Sequence, residues 1–257
     1  MRALLHVRNR QPHQVEAMRA VARGLLRHGI DATISDSADA SGTDFVATWG
    51  MSYALPADRP RLVIEAGYLN GVSGDYVPDR LRFLSVGWNG MHGRADAFPM
   101  NCPPDRWNRL PETLKPWKSG GEYVLVCGQH PGDTQAPLTA IWDGICADVA
   151  QRFDTVVYRA HPLIDRSTGP LREWLAGAAV CVTWASSAAV EAVIEGVPTI
   201  TLDAGSIAWP VTSHRLDDPL YTGTREQWAS DLAYRQWTPA EIEAGEMWDI
   251  FAKGVHA

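Results

Sequence analysis

The chain has 257 residues, 46% of them apolar and 21% charged, with a formal net charge of −7. That balance excludes a disordered or fibrous protein, and the length suffices for one large domain or two of roughly 100–150 residues with proper cores. The charge is unevenly spread, with 15 basic and 12 acidic residues up to Lys118 against 8 and 18 after it. An acidic second half is a poor match for a polyanion, so any nucleic-acid contact is expected on the first half. Chance scatter of surface charge is the plain alternative.

The opening residues MRALLHVRNR carry too short an apolar run for a signal-peptide core and read as a first strand. Ala176 to Val197 is the longest candidate for a membrane span, but Ser186, Ser187, Glu191 and Glu195 interrupt it. A soluble, cytoplasmic protein without a membrane partner is expected. Cys102, Cys127, Cys146 and Cys181 show no paired short spacing, so reduced structural thiols are expected, and no zinc or other metal.

In chain order, Ala3–Val7 reads as a strand, and His13–His28 as a helix with Val15, Met18, Val21, Ala22 and Leu25 at helical spacing before Gly29 stops it. Strands follow at Ala32–Ile34, Phe45–Thr48, Leu62–Ile64 and Phe83–Val86. Asn101 to Gly121 has prolines at 103, 104, 111 and 116 and a terminal Gly pair, which reads as a linker. The second half restarts with strand Tyr123–Cys127, helix Leu138–Arg152, strand Thr155–Tyr158, a short helix at Leu171–Leu175 and strand Ala179–Thr183. A helix from Ser187 to Glu195, strand Thr199–Leu202 and one terminal helix after Pro239 complete it. Alternation of strands with helix-sized connections predicts parallel α/β sheets, because a parallel crossover needs such a connection. The expected organisation is two Rossmann-like domains, residues 1–110 and 122–235, with separate sheets and a segment 239–257 packing back toward the first.

The strongest local chemistry lies in CVTWASSAAVEAVIEGVPTITLDAG, Cys181 to Gly205. A buried strand ends at Thr183 and a helix opens at Ser186 and Ser187, where unpaired backbone N–H groups, the helix dipole and two hydroxyls favour an anion. A plain cap by Ser186 is the alternative. YRAHP, Tyr158 to Pro162, ends the preceding strand, and ligands of open parallel sheets sit outside the carboxyl ends of strands. His161 would then share a crevice with both serines, as electrostatic stabiliser or general acid toward a departing diphosphate. Gly128, Gln129 and His130 follow another strand at the same edge. Asp203 follows Thr199–Leu202 as a candidate for a ribose or sugar hydroxyl, and Trp209, Pro210 and His214 form a loop that could cover a base.

RAHP and WASSAAVEAVIEGVPTI resemble the donor-binding half of GT-B glycosyltransferases, especially the capsule-polysaccharide and sialyltransferase-like groups. The resemblance, over roughly Val124 to Gly205, implies two Rossmann-like domains facing each other across a cleft and a nucleotide-sugar co-substrate without a catalytic metal. It implies that His161, Ser186 and Ser187 hold the donor phosphate. Gly128, Gln129, Arg159, Thr183, Glu191 and Asp203 complete the expected donor-binding set.

In the first half, LVIEAGYLNG (Leu62–Gly71) and RFLSVGWNGMHGRADAF (Arg82–Phe98) resemble phage-encoded glycosyltransferases of modified DNA. Glu65, just after a strand, is the first candidate for the base that deprotonates an acceptor hydroxyl, and Asp96 the second. Tyr68, Trp88, Asn89, His92 and Arg94 form the expected acceptor set, with Trp88 and Asn89 receiving a flipped hydroxymethylpyrimidine. Trp49-Gly50-Met51-Ser52 is a further strand end, read either as an acceptor contact or as core rim. The DNA would contact some of Arg8, Arg10, Arg82, Arg94, Arg106 and Arg109. The rival readings are a capsule-type polysaccharide transferase, an epimerase, and a nucleotide-sugar binding module without transferase activity.

Overall fold

The computed structural model describes residues 1–8, 11–51, 55, 58–70, 82–96, 99–130, 132 and 136–252; Arg10, Ser52, Gly71, Phe98 and the last five residues lie outside them. The fold is α/β, with one mixed, mainly parallel sheet and one parallel sheet, both of Rossmann-like character. Two compact units form. Of the described residues, one gathers Met1–Asn70, those of 82–103 and those from Ser230 onward, and the other those of Pro104–Ala229.

In the first unit, β1 (Arg2–His6), β2 (Asp31–Ser35), β3 (Phe45–Trp49) and β4 (Arg61–Ala66) are parallel, with β1 between β2 and β3. Successive side chains point to opposite faces, so Leu5 and Ala47 join one core and Leu4 and Val46 a smaller one with Ala40 and Leu55. Helix α1 (Pro12–Arg27) lays Ala17, Met18, Val21 and Leu25 on the larger core, at the spacing expected of one apolar face.

The expectation of a uniformly parallel first sheet is corrected at β5 (Leu84–Trp88), which runs antiparallel to β4. Asn70 fixes the return by binding both backbone groups of Phe83, Nδ2 donating to its carbonyl at 2.9 Å and Oδ1 accepting from its N–H at 2.7 Å. Gly67 permits the approach, since a Cβ there would stand 2.4 Å from Phe83 Cβ.

Unit 2 opens with β6 (Tyr123–Cys127), followed by α2 (Thr139–Arg152), β7 (Val156–Arg159), α3 (Leu171–Gly177), β8 (Ala178–Thr183), α4 (Ala188–Ile194) and β9 (Thr199–Thr201). The sheet order β7-β6-β8-β9 is parallel throughout, and β6 sends the chain first to β7 on one side and then to β8 on the other. Leu125 and Cys127 pack on α3 and α4, whereas Val124 and Val126 pack with α2 residues, so helices cover both faces. The proline-rich stretch docks on this unit instead of hanging free, with the backbone N–H groups of Lys115 and Lys118 bonded to Ile194 and Gly196 carbonyls.

The close of the chain was only partly legible. Helix α5 (Glu226–Ala233) and strand β10 (Gln236–Trp237) precede the expected terminal helix, and β10 joins the first sheet antiparallel to β5. That terminal helix is two, α6 (Pro239–Ala244) and α7 (Glu246–Phe251), broken at Gly245 with φ +89°. Thr238 and Glu241 close a capping box at the start of α6.

Candidate functional site

In a doubly wound sheet the crevice opens where the strand order reverses, which in the second unit is between the carboxyl ends of β6 and β8. Residues singled out from the sequence converge there. The Gly128 N–H donates to the Arg159 carbonyl at 2.9 Å, and a Cβ on Gly128 would lie 3.9 Å from the His161 nitrogen, so the ends of β6 and β7 touch. Gln129 Oε1 accepts from the Ala185 N–H at 3.2 Å, tying the β6 end to the turn after β8. Asp203 belongs to the same edge, its N–H donating to the Trp184 carbonyl and its Oδ1 accepting from Gly205 at 2.7 Å.

Ser186 Oγ accepts from the Ala188 N–H at 3.2 Å, so the capping role is realised while its O–H proton still serves as a donor. Ser187 is exposed. His161 Nδ1 accepts from the Leu163 N–H at 3.1 Å, which places the proton of the neutral ring on Nε2. His130, a residue of the same edge that carried no assigned role, has the same arrangement with Gly132 at 3.0 Å. Its ring meets His161 edge-on with centroids 5.8 Å apart. The carboxyl ends of these strands thus carry two imidazoles whose Nδ1 atoms accept from the backbone and a two-serine turn, residue types suited to a phosphate.

Three expected donor contacts are corrected. Thr183 is fully buried with its hydroxyl on the Cys127 carbonyl, 3.1 Å. Arg159 is 7% exposed and turns toward the α3 side, Nη2 donating to the Gly169 carbonyl at 2.8 Å. Glu191, on α4, is partly buried. Burial pushes its carboxyl up to about 7, Arg159 and Arg172 pulling down and Glu195 pushing up. In the loop after β9, Trp209 and His214 stack on each other at 3.5 Å, which occupies the faces a base would use.

In the first unit, Glu65 is the next-to-last residue of β4 and partly buried, Oε1 accepting from the Ala66 N–H at 3.0 Å. Gly50, with φ +60°, leaves it room, for a Cβ there would lie 3.1 Å from Oε2. Tyr68 is core rather than acceptor surface. Burial pushes its phenol far up, and its ring meets His92 edge-on at 5.4 Å. Trp88 is core too, 1% exposed.

Antiparallel β5 also separates the two candidate bases, since Trp88 pairs with Leu62 at the start of β4 and Ser85 with Glu65 near its end. Asn89, with φ +56°, accepts on Oδ1 from the Arg61 N–H at 2.8 Å and donates from Nδ2 to Asp96 Oδ2 at 2.9 Å. Asn89 and Asp96 therefore clasp the opposite edge of the sheet from Glu65, which corrects their shared crevice. Arg94 is exposed in a short 3-10 turn, Arg106 is buried, and Arg109 pairs with Asp105 at 3.3 Å.

Among the described residues, no group of three His, Cys, Asp or Glu is placed to hold a metal, and no helix is long and apolar enough to cross a membrane. No protein-family model and no curated protein matches the chain. Solved structures do. The β-Kdo 2,4 transferase of Thermosulfurimonas dismutans KpsC is similar with a TM-score of 0.59 at 14% identity, covering 99% of this chain and 98% of that one. The KpsC β-Kdo 2,7 transferase of the same organism is similar with a TM-score of 0.55 at 11% identity, covering 96% and 98%. At these identities the likeness is one of fold, over nearly the whole of each chain.

Proposed function

We propose that the chain is a glycosyltransferase of the GT-B class and the capsule-polysaccharide kind. A nucleotide-activated sugar is held in the second unit, its phosphate against His161, Ser186 and Ser187, and a saccharide hydroxyl is the acceptor. The bond from the anomeric carbon to phosphate oxygen breaks, the bond to the acceptor oxygen forms, and Glu65 takes the acceptor proton. His161 Nε2–H offsets charge on the leaving phosphate. What supports this reading is that His161, Gln129 and the serine turn each follow the carboxyl end of one of the strands β7, β6 and β8 that flank the switch point of a doubly wound sheet. The likeness to two Kdo transferases supports an activated Kdo as the first donor to test.

A DNA acceptor is the weaker reading, because Trp88, expected to receive a flipped base, and Tyr68 of the same expected acceptor set are buried. The test is incubation with a panel of nucleotide sugars, an activated Kdo among them, and either oligosaccharide or hydroxymethylated DNA acceptors, with products read by mass. Transfer to oligosaccharide is expected. Transfer to DNA alone would replace the saccharide acceptor, and binding without turnover of any donor would make the chain a binding module.

A further inference from the structure

A cavity of about 420 Å³ lies in the first unit between α1 and α6, and the proposed chemistry leaves it unused. Its volume is in the range of small-molecule pockets, roughly 300–1,000 Å³. Ala17, Ala20 and Leu84 are buried and give it an apolar floor, and Pro239 and Ala240 form a wall at the start of α6. Leu84 pairs with Ala66, the last residue of β4, so the floor reaches the carboxyl edge of the parallel strands, where ligands of open sheets sit. His13 lines the cavity too, and its ring meets Trp49, the last residue of β3, edge-on at 4.9 Å. Glu65 belongs to the same edge but to the other face, since Ile64 and Leu84 join the core under α1 and successive strand residues alternate.

The helical walls are fixed to each other. Gly24 of α1 lies so close to the Ile242 carbonyl of α6 that a Cβ would collide with it. Arg23 holds Glu243 through two bonds, Nε at 2.7 Å and Nη2 at 2.9 Å, and Arg27 Nε donates to the Glu243 carbonyl at 2.8 Å. The cavity is therefore preformed, which lowers the cost of filling it. Around its rim Arg19 and Arg23 offset Glu16 and Glu243, so their formal charges cancel and neither an anion nor a cation is favoured. Arg19 and Glu16, three positions apart on one face of α1, are exposed and have no side-chain partner among the described residues. They leave a guanidinium fork to donate and a carboxylate to accept. The matching ligand has an apolar face, no net charge, and several groups that both donate and accept. A neutral pyranose has all three, in its C–H faces and its hydroxyls.

We propose that the α1–α6 cavity holds a neutral pyranose unit, its C–H face on Ala17, Ala20 and Leu84 and its hydroxyls shared between Arg19 and Glu16. The cavity and Glu65 are on opposite faces of the sheet, so the bound unit is a further sugar of the acceptor chain and not the one that reacts. Its assignment to the acceptor rests on the saccharide reading proposed above.

The test titrates maltotriose, cellotriose and triacetylchitotriose into the isotope-labelled full chain, with trigalacturonate as an acidic counterpart, and follows the backbone amide signals of Ala17, Ala20 and Leu84 by NMR. At least one neutral trisaccharide should move them, with a Kd of about 1 mM. Arg19→Met and Glu16→Ala should each weaken that binding by about tenfold, since each removes hydrogen bonds to a charged group. Ala240→Phe, at an exposed wall position, should fill the cavity and abolish binding, with a melting curve showing that the chain still folds. Should it not fold, the two rim variants decide. Amides that stay unmoved by every neutral trisaccharide overturn the proposal. Tighter binding of trigalacturonate, or undiminished binding by both rim variants, also overturns it. The titration needs no donor, which separates it from the transferase reading. Oligosaccharide that is glycosylated while the amides stay unmoved refutes the cavity and leaves the saccharide acceptor standing. Amides that move while no oligosaccharide is glycosylated refute that acceptor and leave the cavity a sugar site.

Discussion

The Trp88 indole nitrogen donates to the carbonyl of Phe251 at 2.8 Å, joining a strand of the first sheet to the last turn of α7. The ring packs against Phe45 and Trp248, with centroids 5.6 and 6.2 Å away. Trp88→Ala removes this packing and leaves a buried carbonyl without its donor, so unfolding should cost about 3–5 kcal/mol less. Trp88→Phe keeps most of the apolar contact and should lose far less. Thermal melting checks both. A mild effect on stability combined with selective loss of acceptor use would return Trp88 to the binding surface.

Glu65 and Asp96 are separated by a comparison of isosteric variants. Glu65→Gln keeps shape but removes the proton acceptor, so turnover should fall by about a hundredfold or more with donor binding nearly intact. Asp96→Asn should leave turnover within a few fold, since its carboxylate is engaged with Asn89 on the other edge of the sheet. The measurement is kcat and donor KM of the two variants side by side. Equal loss in both, or loss only in Asp96→Asn, assigns the base elsewhere.

The sheet elements were legible because their signals are local: alternating apolar runs bounded by Gly and Pro, and the α1 stripe from Ala17 to Leu25. The direction of β5 was not, since it depends on Asn70 and Gly67 meeting Phe83, a contact of high sequence separation that periodicity does not carry. That one reversal moved Asn89 and Asp96 to the wrong edge of the expected site. Strand β10 is two residues long, too short to show a period. In the second unit every described strand runs parallel, so the local strand signals sufficed to put His161, Gln129 and Ser186 after the carboxyl ends of neighbouring strands. Arg159 and Glu191 were misplaced because side-chain direction at a strand end and on a helix needs the neighbouring layer to be known.

His161 and Ser187 should weigh differently on the donor. His161→Ala removes a donor toward a charged group, worth roughly 1.5–3 kcal/mol, and should weaken phosphate or nucleotide-sugar binding by about tenfold or more. Ser187→Ala removes an exposed hydroxyl that caps nothing, so its melting temperature should be unchanged and its donor affinity lower. Ser186→Ala loses a cap as well and should show both effects. Calorimetry with the donor and melting curves decide. Unchanged affinity in all three would move the phosphate site away from the β6–β8 switch point.

The Glu191 carboxyl also sets a pH dependence of stability with a definite sign. Its folded value is raised from 4.5 to about 7, chiefly by burial, so the folded chain binds the proton more tightly than the unfolded chain. The contribution is therefore fully present below about pH 4.5 and is lost as pH rises through about 7. A shift of this size corresponds to about 3 kcal/mol. Glu191→Gln carries no titrating proton, so its stability relative to the wild type should rise between pH 4.5 and 7 and level off above. The comparison of the two proteins cancels the titration of all other groups to first order. Urea unfolding of both at pH 5, 6, 7 and 8 measures it. A difference that stays constant across that range would mean the carboxyl is not held near neutrality by its surroundings.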